Sequence, residues 1–330
     1  MSASSDALKE TRWSDSWIRW EKEETDENDD RKGSKQIGEN DSSNQDDPDD
    51  SEEEEAGFDP FKDPDPTNVF AFSYPHPDDP SSNTIQIDLH GFKMESDQTW
   101  NSTGLTLWRS SNFLCQYLVE NPDLCRNKRT VELGCGLGLC GILAHRITCP
   151  IVEADNDNNQ DVVNGSAKDD TEKVVASSRV WLTDGDTDVL PKLRENVARN
   201  QSDRYAETVS AHQLIWGTDT AQAFLRHYGE GKPFDVLLAS DVVYVKTVVE
   251  PLFETVDALM ADDGVFVMAY CSRRDVPITI EEVLESATIA GYKYNCVADK
   301  EGIHVYVFEK MATKTTTTTK TKTTKEKDQL

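Results

Sequence analysis

Apolar residues along the chain follow two different periods, and each predicts its own kind of element. Residues 69–74 and 84–89 alternate apolar and polar positions, as half-buried strands do. The Pro- and Ser-rich stretch between them reads as a loop, so together they predict a β-hairpin. Residues 104–118 read as a turn leading into an amphipathic helix, with Leu114, Tyr117 and Leu118 on its apolar face. Residues 130–133 form a short buried strand that breaks into Gly134-Cys135-Gly136-Leu137-Gly138 and resumes as a helix over 139–146. Beyond it, strands are predicted at 180–183, 209–215, 234–240 and 265–270, and helices at 189–200, 248–260 and 278–290. Residues 292–297 and 303–308 close the pattern as an antiparallel pair. Strands alternating with helices predict an open, doubly wound α/β sheet, fronted here by the hairpin.

Composition changes the picture at the two ends. Hydrophobic residues make up 36% of the 330, low for a chain packed throughout. Residues 21–65 hold 20 Asp or Glu against 5 Lys or Arg, about half of the net charge of -28, and cannot build a core. A Thr/Lys run of low complexity fills the C-terminal end. The expected organisation is an acidic, largely disordered arm at 1–68, a folded domain at 69–310 and a disordered tail at 311–330. Within the arm, Trp13, Trp17 and Trp20 share one face of a short helix, suited either to the chain's own core or to a partner. The acidic balance argues against nucleic acid, because phosphate binding needs surplus Lys and Arg. No signal peptide is expected, and no apolar run is long enough to span a bilayer. Seven cysteines without a CxxC pair point to reduced thiols. The expectation is a soluble cytoplasmic monomer, with the nucleus as a second compartment.

Candidate chemistry centres on the strand, glycine turn and helix at 129–146. A side chain in that turn would hold a ligand off the backbone amides and the helix N-terminus. Two ligand classes fit. Gly136, Gly138 and Gly141 have the GxGxxG spacing of dinucleotide folds. Glu132 inside the strand, followed by Gly134, Gly136 and Gly138, suits the ammonium of S-adenosylmethionine instead, since a carboxylate would repel a pyrophosphate. The second strand should end in a carboxylate for the ribose hydroxyls. Asp155 lies at the usual distance, but only a polar run follows it. An amphipathic helix that can cover the sheet follows Asp184, so Asp184 is preferred and 153–178 is read as an acidic surface insertion. Trp108 and Trp216 are candidate flat walls for a ligand, with ordinary core tryptophan as the alternative. Ser240, Asp241 and Tyr244 fall at the carboxyl end of the fourth strand, where open α/β sheets place their sites. Asp241 would orient an amine and Tyr244 would wall its channel; the alternative for Asp241 is an N-cap of the next helix. Five of the six histidines, at 90, 145, 212, 227 and 304, show no metal-site spacing with Cys or Asp, and no metal is expected.

Taken together, NTIQI at 83–87, GLTLW at 104–108, VELGCGLGLCGI at 131–142, LTDGD at 182–186, LRENVARN at 193–200, LIWG at 214–217, SDVVY at 240–244 and IHVYVFEK at 303–310 carry a resemblance. The chain resembles family 16 of the seven-β-strand methyltransferases, mostly protein-lysine methyltransferases, including the Hsp70, elongation factor 2 and calmodulin enzymes. The resemblance implies a Rossmann-like class I methyltransferase sheet with its last strand antiparallel. It also implies S-adenosyl-L-methionine as donor and a protein substrate, with chaperones and translation factors as candidate partners. Carried over by position, the cofactor contacts fall on Trp108, Gly134, Cys135, Gly136, Asp184, Trp216 and Ser240, and the methyl-transfer end on Asp241 and Tyr244. Two departures bear on the acceptor: Arg109-Ser110-Ser111 where Asp-Ala-Ala is frequent, and the insertion at 153–178. A small-molecule N-methyltransferase, a nicotinamide dinucleotide oxidoreductase and a non-catalytic adaptor stay open at this point.

Overall fold

The computed structural model describes residues 67–94, 96–151, 178–201, 203–272 and 277–312. The expectations for the acidic arm, the Trp13/Trp17/Trp20 face, Asp155 with nearly all of the insertion, and the tail beyond residue 312 lie outside the described residues.

Asn68–His76 (β1) and Asp79–Gly91 (β2) pair antiparallel as a separate two-stranded sheet. The stretch expected as a loop is therefore mostly strand, turning only at Pro77 and Asp78. Prolines are tolerated on edge strands, and the register shifts at Pro75 and His76. Asp79 stabilises the bend, its carboxylate accepting from Ser81 Oγ, Ser82 N and Asn83 Nδ2 at 2.8–3.2 Å.

Seven further strands make the main sheet: Arg129–Leu133 (β3), Arg179–Asp184 (β4), Val209–Gln213 (β5), Phe234–Ser240 (β6), Met260–Cys271 (β7), Tyr292–Lys300 (β8) and Ile303–Lys310 (β9). Their order is β5-β4-β3-β6-β7-β9-β8. β3 to β7 run parallel, and β9 runs antiparallel between β7 and β8. The helices are Asp97–Asn101 (α1), Arg109–Glu120 (α2), Leu139–Thr148 (α3), Val189–Asn200 (α4), Thr218–His227 (α5), Val249–Leu259 (α6) and Ile280–Ile289 (α7).

Parallel strands covered on both faces are apolar at nearly every position, and alternate side chains meet different helices. Trp181, Leu237 and Ala239 join one core with Phe224 of α5, Phe253 of α6 and Val283 of α7. Leu182, next to Trp181, faces the other way and packs on the start of α3. On that side α2 packs on α3, and α3 and α4 pack on β2 of the hairpin.

Several boundaries move from expectation for identifiable reasons. β5 ends at Gln213: Leu214 N still donates to Asp184 O at 2.9 Å, then the chain turns away and leaves Ile215 exposed and Trp216 in a loop. β7 begins early, because Met260 already pairs with Phe234. α7 starts at Ile280, where Thr279 and Glu282 form a reciprocal capping box. α5 was not expected at all. Its apolar face is narrow, with only Ala221 and Phe224 buried.

Candidate functional site

The chain lays down β3, β4 and β5 outward in one direction, then β6 and β7 in the other. Strand order thus reverses between β3 and β6, and the crevice beyond their carboxyl ends is where open α/β sheets bind ligands. A cavity of about 670 Å³ opens there. All eleven residues singled out from the sequence line it: Trp108, Glu132, Gly134, Cys135, Gly136, Gly138, Asp184, Trp216, Ser240, Asp241 and Tyr244.

The glycine turn forms the cavity floor. Gly134 has φ 64, and a Cβ there would come 2.8 Å from Val242 Cγ1, so glycine is required on both counts. The turn engages its own amides. Cys135 N donates to Thr183 O at 2.9 Å and Gly138 N to Cys135 O at 2.8 Å. Gly136 N donates to Asp184 Oδ2 at 2.9 Å, and Gly141 N to Glu132 Oε2 at 2.7 Å. The N-cap of α3 is Gly138, which has no side chain to cap with, so Glu132 supplies the oxygen from β3. The amides of Gly136 and Gly141 are held by the protein's own carboxylates, and Glu132 turns one oxygen onto a backbone amide. Burial pushes the Glu132 carboxyl up to about 8, against the pull of the Gly141 N–H. Burial also raises Asp184, whose Oδ1 accepts from Asp186 N at 3.0 Å. The thiol of Cys135 is buried and raised well above its usual value.

The walls come from loops. Trp108 stands just before α2, half-buried, with its Nε1 donating to Thr103 O at 2.9 Å. Trp216 packs its ring against the main core and close to Gly134. Ser240 and Ser110 share a hydroxyl contact at 3.1 Å, tying the end of β6 to the first turn of α2. Asp241 is 8% exposed and has φ 57, a left-handed conformation that is strained for a residue with a side chain. The N-cap alternative fails: the next helical turn and α6 begin after Val245 and Val248. Tyr244 is 45% exposed and lines the cavity beside Thr247, Val248 and Pro251.

Sequence reasoning missed several lining residues. Asp186 sits in the same LTDGD motif as Asp184 and was detectable as a fourth acid. Val248 and Pro251 read as ordinary helix-start residues and carried no signal. With Asp186 included, four acids line the cavity: Glu132, Asp184, Asp186 and Asp241. No Lys, Arg or His is among its described lining residues.

A parallel sheet with its last strand inserted antiparallel, and an acid-lined cavity at the switch point, define the Rossmann-like class I methyltransferase fold. Residues 88–283 match the family described as lysine methyltransferase, and the chain belongs to it. Its relatives include protein-lysine N-methyltransferase EFM3 of Chaetomium thermophilum, 26% identical over 48% of this chain and 39% of that protein. Protein N-lysine methyltransferase METTL21A of Danio rerio is 24% identical over 70% of this chain and 90% of its own. Calmodulin-lysine N-methyltransferase of Arabidopsis thaliana is 24% identical over 52% and 46%. The chain spans less than half the length of the Chaetomium and Arabidopsis proteins.

Proposed function

We propose that this protein is an S-adenosylmethionine-dependent N-methyltransferase whose acceptor is the side chain of a protein lysine. The observation that carries the reading is the acidic lining of the cavity: the aspartates Asp184, Asp186 and Asp241 beside the buried Glu132, with no basic group among the described lining residues. Glu132 and Asp184 already occupy the amides of Gly141 and Gly136, where a pyrophosphate would have to sit. That environment suits a cationic nucleoside and opposes a nicotinamide dinucleotide. When bound, the donor supplies a methyl group on a positively charged sulfur.

The protein's own residues then divide the work. Asp184 accepts from the ribose hydroxyls, while Ile215 and Trp216 flank the base. Trp108 and Ser240 bracket the amino-acid end. Asp241 attracts and orients the incoming amine, and Tyr244, Thr247, Val248 and Pro251 wall its channel and exclude water. The family relationship supports a protein acceptor, with chaperones and translation factors the first to try, and we place the activity in a cytoplasmic monomer.

Replacing Asp241 tests the reading. Asn matches its size and accepts a left-handed conformation, so Asp241→Asn should melt within a few degrees of the wild type and still bind S-adenosylhomocysteine. Transfer of labelled methyl groups to a confirmed protein acceptor should fall by about 100-fold or more, the scale for a group acting mainly in the transition state. Full activity in the variant, or tighter binding of NAD than of S-adenosylhomocysteine by the wild type, sinks the proposal.

A further inference from the structure

We propose that Asn196 is a positioning residue for the donor site: it fastens the glycine turn to strand β2, so that the hairpin holds the cavity floor. The inference rests on reading that cavity as the donor site.

Asn196 lies on α4 and is fully buried. Its Oδ1 accepts from His90 N at 2.8 Å. Its Nδ2 donates to His90 O at 3.0 Å and to Leu137 O at 3.1 Å. Every hydrogen of that amide is therefore used. One turn later Asn200 treats Asp88 in the same way, accepting from its N at 3.0 Å and donating to its O at 2.9 Å. Two side-chain amides four residues apart thus take the place of a neighbouring strand along β2. They differ at the third bond, which Asn200 spends on Asn196 O at 2.8 Å within its own helix. Only the Asn196 bond reaches the cavity.

The Leu137 carbonyl needs that partner. Leu137 lies in the glycine turn, 2% exposed, and lines the cavity. The first backbone bond of α3 runs from Ile142 N to Gly138 O at 3.0 Å. Gly141 N, which would reach Leu137 O if the helix began one residue earlier, is held by Glu132. A buried carbonyl is thereby left to a side chain, and α4 supplies it. The side chain of Leu137 is held by the same strand, since a Cβ on Gly91 would come 2.5 Å from Leu137 Cδ1. Directly after β2, Phe92 N donates to Leu105 O at 2.9 Å and Phe92 O accepts from Thr106 Oγ1 at 2.8 Å. Leu107 and Trp108, which follow, form a wall of the cavity. Floor and wall are referenced to one strand end, and Asn196 is the floor's link to it.

The two asparagines provide their own control. In the full chain, Asn196→Ala and Asn200→Ala should both lower the melting temperature. Only Asn196→Ala should speed amide hydrogen exchange across 134–141 and weaken S-adenosylhomocysteine binding, by tenfold or more, in isothermal titration. Should Asn196→Ala not fold, Asn196→Asp replaces it: the variant is isosteric and keeps an acceptor for His90 N but loses both donated bonds. Equal loss of binding in Asn200→Ala, or unchanged exchange and binding in the Asn196 variant, overturns the inference. A wild type that does not bind S-adenosylhomocysteine would instead refute the donor reading, and exchange at 134–141 would still decide whether Asn196 holds the turn.

Discussion

Glu132 caps a helix from a neighbouring strand, and its titration follows from that position. An ordinary glutamate titrates near ~4.3, whereas burial holds this one at about 8. Between those values the folded protein keeps a proton that the unfolded chain releases. The associated stability is complete below the ordinary value and is lost as pH rises through about 8. Glu132→Gln keeps an oxygen for Gly141 N and never ionises. Its melting temperature should gain on the wild type between pH 5 and 8 and then level off; curves that stay parallel would disprove the assignment. Asp184→Ala should weaken S-adenosylhomocysteine by about 1.5–3 kcal/mol, the range for hydrogen bonds to charged groups, as read by titration calorimetry. The sequence singled out Glu132, Asp184 and Asp241 as acids of one site because each ends or interrupts a strand pattern. It was silent on what Glu132 and Asp184 hold. The bonds to Gly141 and Gly136 join residues 9 and 48 positions apart, and no periodicity reports such pairings.

At the scale of elements, α3 is held at both ends by buried titratable groups. His145 in its last turn shares a 2.9 Å contact with Thr208, and burial lowers its imidazole to about 4. Stability from this depressed histidine is present above the ordinary value near ~6.5 and is lost as pH falls toward the folded value. His145→Gln should flatten that acid limb in pH-dependent melts, and an unchanged limb would exclude His145 as its source. Gly141 reverses a familiar rule. Gly to Ala inside a helix usually stabilises by up to ~1 kcal/mol. Here the new Cβ would lie 2.6 Å from Leu182 Cγ and 2.7 Å from Glu132 Oε2. Gly141→Ala should therefore destabilise by about 1–3 kcal/mol in denaturant titrations, as overpacked cores do. β6 was legible because an apolar run from Val236 to Ala239 fills its middle, and β3 because Val131 and Leu133 lead straight into the glycine turn. The extension of β1 and β2 through a proline-rich stretch was not, since Asp79 rather than strand propensity supports it. α5 was hidden for a related reason: two buried side chains make too short a stripe to read.

The whole molecule inherits a schedule from the place of β9. The strand made last in the sheet lies inside it, bonded to β7 on one side and β8 on the other. While the chain is being synthesised, the early half can assemble its glycine turn and cavity floor as soon as β3, β4 and β6 have emerged. β7 cannot. Until residues 303–310 arrive it presents an apolar edge, with Phe266, Val267 and Met268 waiting for partners and open to pairing with other chains. A chain stopped at residue 302 should accumulate in the insoluble fraction or be degraded while the full chain stays in solution. Completion of the sheet is thus tied to the synthesis of residues 303–310, and the nascent protein is exposed longest at the side of the sheet furthest from its glycine turn.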